Sequence, residues 1–211
     1  DGRRGAWAAN VTGVANLCRV VAEHRLRLVH VSTDYVFDGT ASEHTEDEPF
    51  SPLGVYGQTK AAGDALVAQV PRHYLVRTSW VIGDGKNFVS TMASLAASGK
   101  SPKVVDDQFG RLTFTTDLAA GIVHLLRAEA PYGTYNLTND GPIASWHQIA
   151  RAVFELSGRD PADVTGTTTA EYSAGTATAA RPANSALVLD KLRATGFSPA
   201  PWPQRLRDYL G

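Results

Sequence analysis

The chain reads as an α/β protein built on a doubly wound parallel sheet, followed by a smaller C-terminal α/β lobe. Three observations predict this. Short runs rich in β-branched residues alternate with segments of helical period. A strand, a helix and a second strand follow closely enough to be a βαβ unit, which requires parallel strands and a right-handed crossover. At 211 residues with 43% apolar side chains, the chain is also long enough to bury a sizeable core.

In order, Val14, Leu17, Cys18 and Val21 fall at i, i+3, i+4 and i+7, predicting an amphipathic helix over 6–25 with Cys18 as core filler. LRLVHVST (26–33) is too short for a helix and reads as a strand. A loop follows, with Asp38-Gly39, Pro49 and Pro52 as breakers and the acidic run Glu43 to Glu48 as a solvated face. Residues 55–70 return to helical period with Ala62, Leu66 and Val70 on one side, and HYLVRTSWVI (73–82) is the second strand. Beyond it the pattern gives a helix at 87–98, a short strand at 103–105, and a helix at 116–128 with Leu118, Ile122, Leu125 and Leu126 inward. TYNLT (134–138) is a strand, and Ser145 with Gln148 forms a capping box opening a helix that ends at Gly158. The Thr-, Ala- and Gly-rich tract 159–180 reads as loop, before short helices at 190–195 and 202–210. No linker composition separates the halves, so the second is expected to pack on the first.

Composition excludes several classes. With 20 Lys+Arg against 21 Asp+Glu the net charge is −1, which gives no broad cationic footprint for nucleic acid or an anionic membrane. One cysteine rules out an intramolecular disulfide framework and a multi-Cys zinc site. The six histidines form no HExxH pair and no zinc spacing, so no metal is expected, and His24, His44 and His73 read as surface or loop residues. No signal-peptide core or long apolar run is visible, which predicts a soluble, cytoplasmic protein. Gly99-Lys100-Ser101 mimics a P-loop tail, but position 94 is Ser and a helix precedes it; a glycine helix stop is the better reading. Gly83-Asp84-Gly85 starts a dinucleotide fingerprint that fails at Phe88 and reads as a turn.

The pattern that carries chemistry is a hydroxyl at a strand end plus a tyrosine–lysine pair on the next helix. Ser32-Thr33-Asp34-Tyr35 lies at the carboxyl end of the first strand, where ligands bind in open α/β sheets. Tyr56 and Lys60, at i and i+4, share a helix face. A phenol titrates near ~10 and exchanges protons poorly at neutral pH, and a neighbouring ammonium is expected to pull Tyr56 down toward the working range. Such a set suits the protonation of a carbonyl oxygen while hydride arrives at its carbon.

VHVSTDYVFDG, SPLGVYGQTKAAGD, VRTSWVIGDGKNF, VVDDQFGRLTFTTDLA and RPANSALVLDKLRATGF together resemble the extended short-chain dehydrogenase/reductases, and among them the dTDP-4-dehydrorhamnose reductases. The match spans nearly the whole chain. It implies a Rossmann-like sheet in which 1–85 is the C-terminal half of a cofactor-binding domain. Residues 86–211 would be mainly the sugar-nucleotide lobe, with some segments returning to the main sheet. It further implies NADPH or NADH as cofactor and reduction of the C4 ketone of dTDP-4-dehydro-L-rhamnose to dTDP-L-rhamnose. Tyr56 would donate the proton, Lys60 would hold the nicotinamide ribose, and Thr33 would be the hydroxyl member. Asp34 and Trp80 match sugar-nucleotide contacts, and Asn10 the helix position that backs the proton relay in many relatives. A homodimer is compatible with the resemblance.

A pyrophosphate needs donors that a near-neutral chain must supply locally. Arg111, Arg181 and Asn87, the last opening a helix, are the candidates; each is also read as a structural residue. Gln108 is either a substrate contact or a turn residue. The chain departs from the family at Leu112, where Pro is usual. It also lacks the leading strand, glycine-rich turn and helix that hold the cofactor pyrophosphate, and it starts without Met. A parent chain roughly 70–90 residues longer is therefore expected. Two alternatives share the pattern: a reductase of another dTDP-4-keto-deoxysugar, and a non-catalytic regulatory or binding subunit on the same fold.

Overall fold

The computed structural model describes residues 2–175 and 178–211; residues 1, 176 and 177, two of them inside the tract read as loop, lie outside the described residues. A helical run opens the chain: α1 (Gly2–Trp7), a π-helical stretch (Ala8–Gly13) and α2 (Val14–Glu23). The first unit continues with β1 (Leu28–Thr33), α3 (Val55–Val67) and β2 (His73–Thr78). Next come β3 (Val81–Ile82), α4 (Phe88–Ala97), β4 (Lys103–Val105), β5 (Phe109–Gly110), β6 (Thr113–Phe114), α5 (Thr115–Arg127) and β7 (Gly133–Asn136). The chain closes with β8 (Ala144–Ser145), α6 (Trp146–Leu156), β9 (Thr165–Thr167), α7 (Thr169–Tyr172), α8 (Asp190–Arg193) and α9 (Trp202–Leu210). Among the described residues no helix is long and apolar enough to cross a membrane.

The main sheet is parallel, in the order β1-β2-β7. Its central strand β2 is buried at every position, as a parallel strand covered on both faces must be. Among the described residues β1 pairs on one side only, and Val31 on it is 42% exposed. On α2, Val14 and Val21 are buried and Cys18 packs beside the Val14, Val67 and Leu75 cluster. Leu17, expected inward, is exposed: α2 packs along a narrow line against α3, and the flank of its stripe is uncovered.

The buried face of α3 also differs from expectation. Ala62 and Leu66 are only partly buried, while Gly57, Thr59, Ala61, Gly63, Asp64 and Val67 are inside. Small residues, not large apolar ones, define this face because backbone approaches it from two sides. A Cβ on Gly63 would lie 2.5 Å from the Asn10 carbonyl oxygen, and one on Gly57 would lie 2.1 Å from that of Tyr35. Gly57→Ala is therefore expected to destabilise the protein by about 2 kcal/mol, the overpacking strain exceeding the helix-propensity gain. Chemical denaturation measures this; an unchanged or raised midpoint rejects the close approach.

The predicted strand 73–82 is two strands. Trp80 has φ +47, a left-handed conformation uncommon for a bulky residue, and it breaks the run after Thr78. β2 stays in the main sheet, whereas β3 pairs with β6 in a second layer. That layer has its own core, from Ile82, Val89 and Leu112 to Ile149, Phe154 and Trp202. The capping box at Ser145 and Gln148 is present, and Gly99 (φ +70) stops α4. The tract expected to be loop contains β9 and α7, β9 lying parallel to β4. Strands this short carry no period for a sequence to display.

The histidine expectations fail at His44, which is fully buried, and at His73, which is 9% exposed, while in the acidic run Glu43 and Asp47 are exposed and Glu46 and Glu48 half-buried. His44 Nδ1 lies 2.9 Å from Glu48 and its Nε2 lies 3.1 Å from the Asn184 carbonyl, with the ring stacked on Phe37. The Glu46 carboxylate accepts from the Asn136 amide at 3.0 Å, and Glu43 pairs with Arg111 at 3.0 Å. The loop is a clamp that ties the C-terminal strap 181–189 to the end of the main sheet.

Candidate active site

β1 ends at Thr33, whose extended backbone turns into a single 3₁₀ turn, Asp34–Val36. Thr33 Oγ1 accepts from the Tyr35 amide at 3.1 Å and donates to Asp34 Oδ1 at 3.0 Å, with both side chains buried. α3 begins one residue before Tyr56, so its first turn sets the phenol at this strand end. The Tyr56 ring meets Tyr35 edge-on at 5.7 Å and is 51% exposed. One turn on, Lys60 donates to the Val31 carbonyl at 2.8 Å and lies 3.3 Å from His30 Nε2. Behind them, Asn10 in the π-helical stretch donates to Thr59 Oγ1 at 3.0 Å, and Thr59 donates to the Tyr56 carbonyl at 2.9 Å. The structure thus gathers Thr33, Asp34, Tyr56 and Lys60 at one strand end.

The electrostatics differ from expectation at Tyr56. Burial is the largest influence and raises its pKa; Thr33 acts the other way, and the Asp34 and Asp64 carboxylates raise it further. The expected depression by Lys60 is absent, because that ammonium is directed to Val31 and His30. The phenol is thereby held in its protonated form, the form needed to give a proton. Burial lowers Lys60, with Asp64 opposing, and burial with the Lys60 charge lowers His30 to about 4, so His30 faces the ammonium as a neutral ring.

Asp34 is 3% exposed, its Oδ2 has no hydrogen-bond partner among the described residues, and burial raises it to about 6 against the Ser185, Thr33 and His44 contributions. A carboxyl raised on folding from 3.8 weakens the fold most where it is ionised. The penalty is absent below about pH 4, grows between about 4 and 6, and is full above, on the order of 3 kcal/mol. Asp34→Asn is accordingly expected to be more stable than the parent at pH 8, with the gap closing toward pH 4. Urea titrations across that range check it, and a gap independent of pH rejects it.

A cavity of about 570 Å³ lies beside this centre, lined among others by Phe88, Met92, Lys103, Gln108, Trp146 and Arg181. A smaller cleft carries Tyr35 and Tyr56, and Ala179 lines both. Arg181 is exposed and its charge acts on the Tyr35 phenol, opposing the dominant effect of burial. Trp80 does not line the cavity; it stacks on Trp146 at 3.8 Å and buttresses that wall. Gln108 faces the cavity while donating to Thr169 Oγ1 at 2.9 Å.

Two anion candidates are engaged within the protein. The Asn87 side chain caps α4 through the Ser90 amide and donates to the Gly83 and Gly85 carbonyls and the Tyr209 hydroxyl. Arg111 donates to the Gly141 and Leu187 carbonyls and pairs with Glu43. The Asn87 partners are local apart from Tyr209, whereas Arg111 is held through its Nε and Nη1 donors by segments distant in sequence. Trp146 escaped the sequence reading, which named Phe88 and Tyr35 without giving either a place in the cavity or cleft. Only the capping box hinted at Trp146, as the first residue of a helix.

Comparison with known proteins agrees with this geometry. The family described as "RmlD substrate binding domain" matches residues 1–211. The chain is 40% identical over 185 residues to the spore coat polysaccharide biosynthesis protein SpsK of Bacillus subtilis, covering 86% of this chain and 63% of that one. It is 36% identical to a dTDP-4-dehydrorhamnose reductase of Aggregatibacter actinomycetemcomitans, covering 96% and 72%. A crystal structure of dTDP-4-dehydrorhamnose reductase from Bacillus anthracis in complex with NADP superposes with a TM-score of 0.90 at 33% identity, covering 99% of this chain and 73% of that one. The chain thus spans about two thirds of the length of these relatives. It belongs to the RmlD substrate-binding domain family.

Proposed function

We propose that this chain supplies the acid and the sugar-nucleotide site for NAD(P)H-dependent reduction of dTDP-4-dehydro-L-rhamnose to dTDP-L-rhamnose. The observation that carries the reading is Tyr56, protonated and half exposed, beside Lys60 and Thr33 at the carboxyl end of a parallel strand and next to a large aromatic-walled cavity.

The local donor set fits a nicotinamide ribose. An ammonium has three donors, and Lys60 spends two, on the Val31 carbonyl and His30, leaving one for a ribose hydroxyl. When bound, the cofactor supplies hydride to the ketone carbon. Tyr56 gives its proton to the oxygen that becomes the C4 hydroxyl, and it sits at the cleft mouth where it can do so. Arg181, with Lys103 across the same cavity, offers positive charge to the pyrophosphate, and Trp146 and Phe88 offer flat faces to the base. The cofactor's own pyrophosphate would be held by residues that the longer relatives carry beyond the matched region. β1, paired on one side only among the described residues, is the edge on which such residues would continue the sheet. The cytoplasm is proposed as the location of this activity.

The test is NADPH and NADH oxidation by the full-length enzyme with a panel of dTDP-4-ketosugars. Turnover preferring dTDP-4-dehydro-L-rhamnose supports the reading. Preference for another ketosugar reassigns the substrate, and absence of turnover with every member rejects the enzyme reading.

A further inference from the structure

His30 breaks the pattern of its strand. On β1 it shares a face with Leu28, and its register partner on β2 is Leu75. Both leucines pack in the apolar cluster with Val14 of α2 and Val67 of α3. The next position on that face holds a half-buried polar ring instead. Its hydrogen-bonding contact among the described residues is with Lys60, Nζ to Nε2 at 3.3 Å. We propose that His30 is a positioning residue: its neutral ring accepts a second hydrogen bond from the Lys60 ammonium and, together with the Val31 carbonyl, holds the third N–H in one direction for the cofactor ribose. This deepens the proposed function and rests on the reading of Lys60 as the residue that holds the ribose.

The argument is a count of donors. An ammonium has three N–H groups and no lone pair, so Lys60 can only give. The Val31 carbonyl takes one hydrogen bond at 2.8 Å. With that single anchor, the flexible four-carbon stem leaves the nitrogen free to swing about the oxygen. A second acceptor, on the neighbouring residue of the same strand, removes this freedom. A nitrogen fixed by its stem and two N–H groups has one direction left for the third. For Nε2 to accept, it must carry no proton, so the hydrogen of the His30 ring lies on Nδ1.

The kind of acceptor matters because the site depends on charge. A carboxylate at position 30 would offset the ammonium and add an anion near Tyr56, which the Asp34 and Asp64 carboxylates already raise. An apolar residue, as on the rest of this face, would leave a partly buried N–H without a partner. A neutral imidazole takes the hydrogen bond and leaves the positive charge whole. Burial and then the Lys60 charge lower His30 to about 4, which keeps it an acceptor at neutral pH. Asp64, one turn along α3, is the charged group that favours the ammonium against its own burial.

The experiment is nitrogen-15 NMR of the histidine rings in the full-length protein at neutral pH, with the His30 signals assigned by their loss in His30→Gln. The Nδ1–H tautomer, the minor form of free neutral histidine, is expected. An Nε2–H or doubly protonated ring could not accept from Lys60, and either one overturns the proposal. Binding of NADPH and NADH, followed by nicotinamide fluorescence, is the second arm. His30→Leu is expected to bind the preferred cofactor about 10-fold more weakly than the parent. His30→Gln, whose amide oxygen can stand in for Nε2, is expected to stay within about 3-fold. An unaffected Leu variant, or equal losses in the two, overturns the proposal, because an acceptor would not rescue a ring that merely fills space. Should His30→Leu not fold, the tautomer and the Gln variant still decide. Neither arm needs turnover or a ketosugar, so a failed reductase assay leaves both standing. A parent that binds neither cofactor overturns the ribose role together with the reading of Lys60.

Discussion

If the proposed function holds, replacing Tyr56 by Phe is expected to lower kcat of the full-length protein by about 10²- to 10⁴-fold, the usual worth of a positioned general acid. The ring and its edge-on contact with Tyr35 remain, and only the proton donor is lost. Because Tyr56 is 51% exposed, the variant should unfold at the parent's denaturant concentration, which separates lost chemistry from lost structure. Burial and the nearby carboxylates of Asp34 and Asp64 raise the phenol's pKa, so kcat of the parent should hold through neutral pH and fall only as the phenol ionises above its ordinary range. Steady-state kinetics with saturating ketosugar, from acid to alkaline pH, measure both effects. A Phe variant within a few-fold of the parent would remove Tyr56 from the mechanism.

Arg77→Met is expected to cost about 3–5 kcal/mol of stability, since it strands a carboxylate in the interior. Arg77 Nε meets Asp64 Oδ2 at 3.2 Å, with the two side chains 5% and 0% exposed. It also donates to the Glu46 carbonyl at 2.9 Å and lies 5.2 Å from the centres of both the Phe37 and Phe50 rings. Even with its partner, Asp64 is raised by burial, which outweighs the lowering by Ser32, Arg77 and Lys60. Removing Arg77 deletes one of those lowering influences, so Asp64 rises further and the loss should be largest at neutral pH and smaller in acid. The double variant Arg77→Met/Asp64→Leu should recover most of the stability, because an apolar pair of similar volume avoids the uncompensated charge. Guanidinium denaturation of the single and double variants tests this. A single-variant loss below about 1 kcal/mol would show that the pair is not what ties α3 to β2.

Both predictions turn on where sequence legibility ends. Tyr56 and Lys60 are readable because their relation is local, one helical turn apart, and Thr33 because it closes a β-branched run. The long elements α4, α5 and α6 and the capping box at Ser145 show for the same reason: period and caps are properties of neighbours in sequence. What is not local is not visible. Nothing in the string places Asp64 against Arg77, buries His44 under the strap, or ties Asn87 to the Tyr209 hydroxyl and Arg111 to two distant carbonyls. The charge state of Tyr56 misled for this reason too. Spacing puts an ammonium on its face, but a carbonyl and an imidazole on β1 decide where that ammonium goes. The shortest strands, β3, β5, β6 and β8, have two residues each and exist only because their partners do.

The kink at Trp80 has a consequence for how this site tolerates change. Two residues, Ser79 and Trp80, are the whole covalent tie between the strand beside the acid and the strand that enters the second layer. Loop length elsewhere can drift while the acid and the cavity wall keep their spacing. One residue inserted at this tie would slide β3 against β6 by roughly 3.4 Å and invert the facing of its two side chains. Trp146, which Trp80 braces, would leave its station with it. The kink is therefore the indexing point of the molecule: it sets how far the proton donor stands from whatever the cavity holds, and length polymorphism should be excluded from positions 79 and 80 while loops such as 83–86 vary.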